Sequence, residues 1–414
     1  MRDQPIITSL LDTDFYKFTM GMFAFLKYRG VPVKYAFKNR TTKVALTKFI
    51  DEGELREQLD AVRQLRFSKS ELHYLCGTSE YGQRMFTEDY LQFLADLQLP
   101  QYDLAKDGDQ YQLEFAGPWE EAIYWETLAL SIVNELYFRN KIKQDGLSRF
   151  EQELMYAEAK IKLANKITLI KQHPDITITD FGTRRRFSRD WQYYIVEVLK
   201  AELGPQFLGT SNVKAAMDQS LLPMGTSAHE LPMVMSGIMH GSDDDIRASH
   251  NQALVDWWDL YGWALSIALT DTYGSDFFFR DFNSIQARRW KGLREDSGNP
   301  FALGEKAIAF YQGHDIDPME KLVIFSDGLD VEIIIEIADY FRGRIKVSFG
   351  WGTTLTNDLL FKALSLVVKV VEANGHGTVK LSDNLAKAMG QPNDIERFKR
   401  IFGHTVTLNE TCLV

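Results

Sequence analysis

The chain has 414 residues, 45% hydrophobic and 25% charged, which is enough for two or three domains with a large core. Its 57 acidic residues outnumber the 47 Lys plus Arg. That negative field excludes a general nucleic-acid or anionic-membrane surface, but not a local basic pocket for a small anion. Two cysteines, Cys76 and Cys412, exclude a disulfide framework and a cysteine metal site. With no basic start leading into an apolar run, and no stretch near the ~20 apolar residues of a membrane helix, a soluble cytoplasmic protein is expected.

In chain order, Phe15, Phe18, Met22 and Phe25 form a helical stripe over residues 13–28, with Asp12 and Thr13 as candidate caps. Val33, Tyr35 and Phe37 alternate with Lys34 and Lys38 as in a strand. Leu55, Leu59 and Val62 mark an amphipathic helix, and Tyr111, Leu113 and Phe115 a second strand before Gly117-Pro118. This is an α+β unit. From about Ile123 the texture changes: a long helix is predicted over 147–170, and then short apolar strands end repeatedly in small and polar residues. The seven instances end at Asp180-Phe181-Gly182-Thr183-Arg184, Gly209-Thr210-Ser211-Asn212, Gly225-Thr226-Ser227-Ala228-His229-Glu230, Thr270-Asp271-Thr272, Arg294-Glu295-Asp296-Ser297-Gly298, Ser326-Asp327-Gly328 and Gly350-Trp351-Gly352-Thr353. Helical patterns such as 331–340 lie between several of them. Strands joined by crossover helices run parallel, so every polar cluster falls at one carboxyl edge. An α/β barrel collects its site there, and an open doubly wound sheet would do the same. The tail predicts a helix over 360–372 and strands at 378–381 and 404–408 that return to the first sheet. The expected organisation is an N-terminal domain at 1–122, a barrel at 123–356 and a returning segment at 357–414.

The strand ends are rich in groups for anions and cations. Arg184, Arg185, Arg186 and Arg294 offer planar forks for carboxylate or phosphate. The Gly-Thr turns at 209–210, 225–227 and 350–353 can face backbone N–H groups toward phosphate, although none is a Walker A loop or a dinucleotide fingerprint. Asp271, Asp296 and Asp327 end successive strands, as carboxylates serving a sugar diol or Mg²⁺ would; helix capping explains any one of them equally well. Of eight histidines, His229 alone follows a Gly-Thr-Ser turn at a strand end. There an imidazole can meet a phosphate, with Glu230 or Asp271 as the carboxylate that orients it. No zinc site is expected.

These motifs, from Asp12-Thr13-Asp14-Phe15-Tyr16-Lys17 through Phe181-Gly182-Thr183-Arg184-Arg185, Gly209-Thr210-Ser211-Asn212, the 225–230 segment and Asp296-Ser297-Gly298 to Phe349-Gly350-Trp351-Gly352-Thr353, span nearly the whole chain. In that order they resemble the nicotinate phosphoribosyltransferase family, in its shorter bacterial and fungal form. The resemblance implies an irregular α/β barrel beside an α+β open-faced sandwich built from both chain ends. It implies an ATP-coupled reaction of nicotinate with 5-phosphoribosyl 1-pyrophosphate through a phosphohistidine at His229, with Mg²⁺ held by Asp271 and Asp296. By the same resemblance Tyr16 and Phe181 stack the pyridine ring and Arg184 reads its carboxylate. Thr226, Arg294, Asp296, Asp327, Gly352 and Thr353 serve ribose and phosphate. Nicotinamide-using relatives carry Asp where Ser211 stands, so Ser211 favours the acid. The quinolinate-using relatives lack the His229 segment. A homodimer, in which Tyr16 enters a neighbouring site, is the assembly weighed against a self-sufficient monomer. A sugar-phosphate lyase or isomerase on a barrel, and a non-catalytic nucleotide-binding module, are the readings from other classes.

Overall fold

The computed structural model describes residues 5–410, so Cys412 lies outside the described residues. Helix α1 (Phe15–Lys27) is buried on almost every side, Phe18, Met20 and Phe23 completely. A helix apolar all round belongs in an interior. Neither expected cap acts as one: Asp14 occupies the cap position and its side chain caps nothing, while Asp12 pairs with Arg186. Strand β1 (Pro32–Asn39) follows, then α2 (Glu52–Gln64), capped by Asp51 and facing Leu55, Leu59 and Val62 inward as its spacing predicts. Strands β2 (Tyr102–Asp107) and β3 (Gln110–Pro118) form a hairpin.

Helix α3 (Trp125–Gln144) escapes sequence analysis because everything from Trp125 to Phe138 is buried and no polar stripe betrays a period. Its few polar residues shape the arginine turn: Ser131 Oγ donates to the Thr183 carbonyl, Asn134 Nδ2 to that of Arg184, and Glu135 accepts from the Arg189 N–H. The predicted long helix is α4 (Arg149–Lys171), begun by a Ser148–Glu151 capping box.

The second sheet carries β4 (Ile178–Asp180), then, past α5 (Arg189–Leu203), β5 (Phe207–Thr210). After α6 (Glu230–Ile238) come β6 (Ile267–Leu269), β7 (Gly292–Glu295), β8 (Leu322–Phe325), α7 (Val331–Phe341) and β9 (Lys346–Trp351). Its order is β5-β4-β9-β8-β7-β6, every neighbour parallel, which makes the wall of the expected irregular α/β barrel. The seventh expected strand, at 222–224, reduces to one bridge between Pro223 and Thr210, held by Met224 N–H on the Thr210 carbonyl. Proline brings no N–H to continue a ladder.

The tail corrects three expectations. Most of the predicted 360–372 helix is strand β10 (Leu366–Ala373), which pairs along β1 from Asn39↔Leu366 to Val33↔Ala373. Its Leu-Val-Val-Lys-Val-Val run is apolar without alternation, so periodicity could not tell strand from buried helix; the β-branched residues were the better guide. With β11 (His376–Gly377) it completes the antiparallel sheet β11-β10-β1-β3-β2, built from both chain ends. Residues 378–381 and 404–408 are not strands of that sheet. Lys380 makes one bridge to Met389, and the Leu381 N–H reaches the Thr272 carbonyl at the barrel's carboxyl edge. Among the described residues no helix is long and apolar enough to cross a membrane.

Candidate active site

At that carboxyl edge lies a cavity of about 300 Å³, walled by strand ends, α1 and the tail. Tyr16, Phe181, Arg184, Ser211, His229, Arg294, Asp296, Asp327, Gly352 and Thr353 all line it. Thr226 and Asp271 are not on its wall. The Thr226 carbonyl accepts from Thr19 Oγ1, and Asp271 is fully enclosed beside His229. Arg186, read above as a further fork for an anion, is occupied inside the protein: it is fully buried and bonds both oxygens of Asp12, at 2.5 and 2.8 Å.

Strand-end turns place these side chains, and Gly350 shows how tightly. A Cβ there would stand 2.3 Å from the Phe181 ring, so the glycine leaves space for the ring. At the same end Arg184 Nη1 lies 3.5 Å from Tyr16 Oη and donates to Glu126 Oε1 at 3.2 Å. Ser211 Oγ donates to Asp14 at 2.7 Å.

His229 begins α6 and is 3% exposed. Its Nδ1 lies 2.9 Å from Thr272 Oγ1, and its Nε2 lies 2.9 Å from Asp296 and 2.8 Å from Lys380 Nζ. Of the two expected partners, Asp271 stands 3.8 Å from Nε2. Glu230 faces away, bonding Lys17, Tyr35 and Trp119. Burial and the Lys380 charge outweigh the two aspartates and push the His229 pKa down to about 4, leaving a neutral imidazole at pH 7. Burial opposes ionisation of Asp296 too, but its bond to His229 and the lysine charges hold its carboxyl well below the usual range.

Lys380, Lys387, Lys369 and Arg40 were not singled out in the sequence. The three lysines come from the tail and Arg40 from the end of β1, so no strand-end motif announces them. Lys387 Nζ binds Asp327 at 2.5 Å and the Asp296 carbonyl at 2.7 Å. Seven Lys and Arg side chains face four aspartates around the cavity, a local excess of positive charge in an acidic protein.

Three oxygen groups for a hard cation need not come from protein alone, since Mg²⁺ commonly takes one or two carboxylates plus substrate phosphates. Among the described residues no three carboxylates or histidines converge into a cage. Asp296 and Asp327 nevertheless open on the cavity, and Asp296 Oδ1 has only a long 3.3 Å bond from Ser326. That donor set fits Mg²⁺ carried in with a diphosphate; Asp271, expected to hold the ion with Asp296, is fully enclosed and off the cavity wall, and Asp327 is the carboxylate beside Asp296 that opens on it.

Comparison with known proteins agrees. The profile of the nicotinate phosphoribosyltransferase (NAPRTase) family matches residues 176–406, and that of the NAPRTase N-terminal domain matches residues 11–134. A nicotinate phosphoribosyltransferase structure from Vibrio cholerae is 34% identical with a TM-score of 0.84, covering 97% of this chain and 94% of that one. The Porphyromonas gingivalis enzyme is 30% identical at TM-score 0.84, covering 96% of this chain and all of its own. A putative nicotinate phosphoribosyltransferase from Saccharomyces cerevisiae is 27% identical at TM-score 0.83, covering 98% and 100%.

Proposed function

The chain belongs to the nicotinate phosphoribosyltransferase family, and on that premise we propose that it couples nicotinate mononucleotide synthesis to ATP hydrolysis through a phosphohistidine at His229. The observation that carries the coupling is a buried, neutral imidazole whose Nε2 faces Lys380 at 2.8 Å on the wall of a cation-rich cavity.

In the synthetic step the pyridine nitrogen of nicotinate bonds to ribose C1 as the C1–O bond to pyrophosphate breaks. Positive charge develops on the sugar and negative charge on the leaving group. Phe181 and Tyr16 hold the ring, and Arg184 holds its carboxylate. Asp296 and Asp327 fix ribose hydroxyls, while Gly352, Thr353 and Arg294 take the phosphate side. Bound Mg²⁺ at Asp296 and Asp327 would supply charge neutralisation of the diphosphate. Arg40, Arg185, Lys380 and Lys387 add fixed positive charge around the same cavity. Asp271 acts from behind the wall, 3.6 Å from Lys380, holding that lysine against His229. In the ATP step Asp296, 2.9 Å from Nε2, takes the Nε2 proton while Nδ1 accepts from Thr272 Oγ1, and the Nε2 electron pair so freed meets the γ-phosphorus. The phosphorus–oxygen bond to ADP breaks as the phosphorus–nitrogen bond forms, and water later releases phosphate. Tyr16 lines the cavity of its own chain.

Incubation with nicotinate, phosphoribosyl pyrophosphate, Mg²⁺ and ATP should yield mononucleotide and ADP. Product from nicotinamide and none from nicotinate would overturn the reading. Arg184→Ala should raise the nicotinate KM about 10- to 100-fold, the worth of one charge-assisted bond of ~1.5–3 kcal/mol. An unchanged KM would move the carboxylate site elsewhere.

A further inference from the structure

Strand β10 carries two charged residues: Glu372, exposed near its end, and Lys369, set amid Leu366, Val367, Val368, Val370 and Val371. Burying an ammonium in a central strand is unfavourable unless a specific partner meets it. Its partner is Glu126 on α3: Lys369 Nζ donates to Glu126 Oε1 at 2.8 Å. The same oxygen accepts from Arg184 Nη1 at 3.2 Å. One carboxylate oxygen therefore holds two cations side by side, and both line the cavity, with side-chain exposures of 12% and 27%.

Glu126 does not need both for neutrality. Its other oxygen already binds the fully buried Lys17 at 2.6 Å, and Lys17 also meets Glu230 at 2.6 Å. Lys17, Arg184 and Lys369 thus surround Glu126, with Glu230 on the far side of Lys17 and Asp14, which accepts from Ser211 at 2.7 Å, near Arg184. Two cations side by side on a cavity wall, sharing one carboxylate oxygen, present a site for a monoanion.

We propose that Lys369 is a second carboxylate-reading residue beside Arg184, held in place by Glu126, and that this pair selects the pyridine acid over its amide. The inference rests on the reading above that nicotinate occupies the Tyr16–Arg184 end of the cavity. A lysine that only neutralised Glu126 would affect folding and not one substrate's KM.

Titration supplies a signature. Burial and the neighbouring Arg184 and Lys17 charges lower the Lys369 pKa to about 8 despite Glu126. Of the groups facing it, Lys17 and Arg184 are shifted up, Tyr16 on α1 is also raised, and Glu126 is shifted down. None of them changes charge between about pH 7 and 9, so the cation beside Arg184 is lost with the Lys369 proton. In the wild-type enzyme the nicotinate KM should be level below about pH 8 and rise above it.

The test compares Lys369→Met and Lys369→Arg in steady-state assays, with thermal unfolding as a control. Lys369→Met should raise the nicotinate KM about tenfold or more, leave the phosphoribosyl pyrophosphate KM unchanged, and narrow the preference for nicotinate over nicotinamide. Lys369→Arg should keep the low KM and abolish its rise above pH 8. A wild-type nicotinate KM in Lys369→Met, or a persisting rise in Lys369→Arg, overturns the inference. Failure of the wild-type protein to use nicotinate at all sinks the underlying reading instead.

Discussion

His229→Asn is expected to abolish ATP hydrolysis and acid-labile phosphorylation while the protein stays folded. Asparagine places a polar carboxamide in the same enclosed space and can bond to Thr272 and Asp296, which hold the imidazole at 2.9 Å each. Lys380 loses its 2.8 Å contact with Nε2 but keeps Asp271 at 3.6 Å and Asp296 at 4.0 Å, so the cost stays near the ~1–3 kcal/mol of one unsatisfied polar group. What asparagine lacks is an sp² nitrogen with a free lone pair, because its amide nitrogen is not nucleophilic. Loss of phosphoryl transfer should therefore reach about a thousandfold or more, the scale on which removal of a covalent nucleophile acts. Labelled ATP followed by neutral gel separation reads the phosphoenzyme directly, and circular dichroism reads the fold. Label retained at another residue would refute the assignment of His229.

The barrel edge was legible in the sequence because each of its motifs is local. A strand, a small-residue turn and one functional side chain lie within ten residues, and the parallel crossovers bring the turns together without further information. His229, Asp296 and Asp327 were found that way. Thr272, which holds His229 Nδ1, stands next to Asp271 and is invisible as a partner until the two turns are folded against each other. Lys380 and Lys387 lie more than a hundred residues from the histidine in the chain, and only the tail's path over the barrel brings them near. The two missed elements share one cause: residues 125–138 of α3 and 366–368 of β10 are continuously buried, so their hydrophobic patterns carry no period. Glu126 and Lys369, one charged residue from each, meet in one ion-paired cluster.

Asp12 was misread for a related reason: ahead of a helix an aspartate looks like a cap, yet it serves a tertiary bond. Asp12→Ala is expected to destabilise the protein by ~3–5 kcal/mol, the cost of leaving a buried charge without its partner. Arg186 is fully buried, and besides its two bonds to Asp12 has a 3.2 Å contact with Gln192. Asp12 also accepts from Asn212 Nδ2 at 2.7 Å, so its removal loosens the turn before α5 and the end of β5 together. Burial pushes the Asp12 carboxyl up, but the Arg186 charge and bonds prevail and hold it below its ordinary value. For a carboxylate with a lowered pKa, the stabilisation is present above the unfolded value of about 3.9 and is lost as pH falls through the folded one. The gap between wild type and Asp12→Ala, read as unfolding midpoints in denaturant, should therefore be full at neutral pH and close in acid. The paired change Asp12→Leu with Arg186→Met should recover most of the loss, since it removes both charges and fills the space. If the double variant were no more stable than Asp12→Ala, the loss would have to come from the Asn212 bond or packing instead. The same segment sets Tyr16 and Asp14 at the cavity, so Asp12→Ala should also raise the nicotinate KM, whereas the double variant, with the segment packed again, should lower it toward wild type.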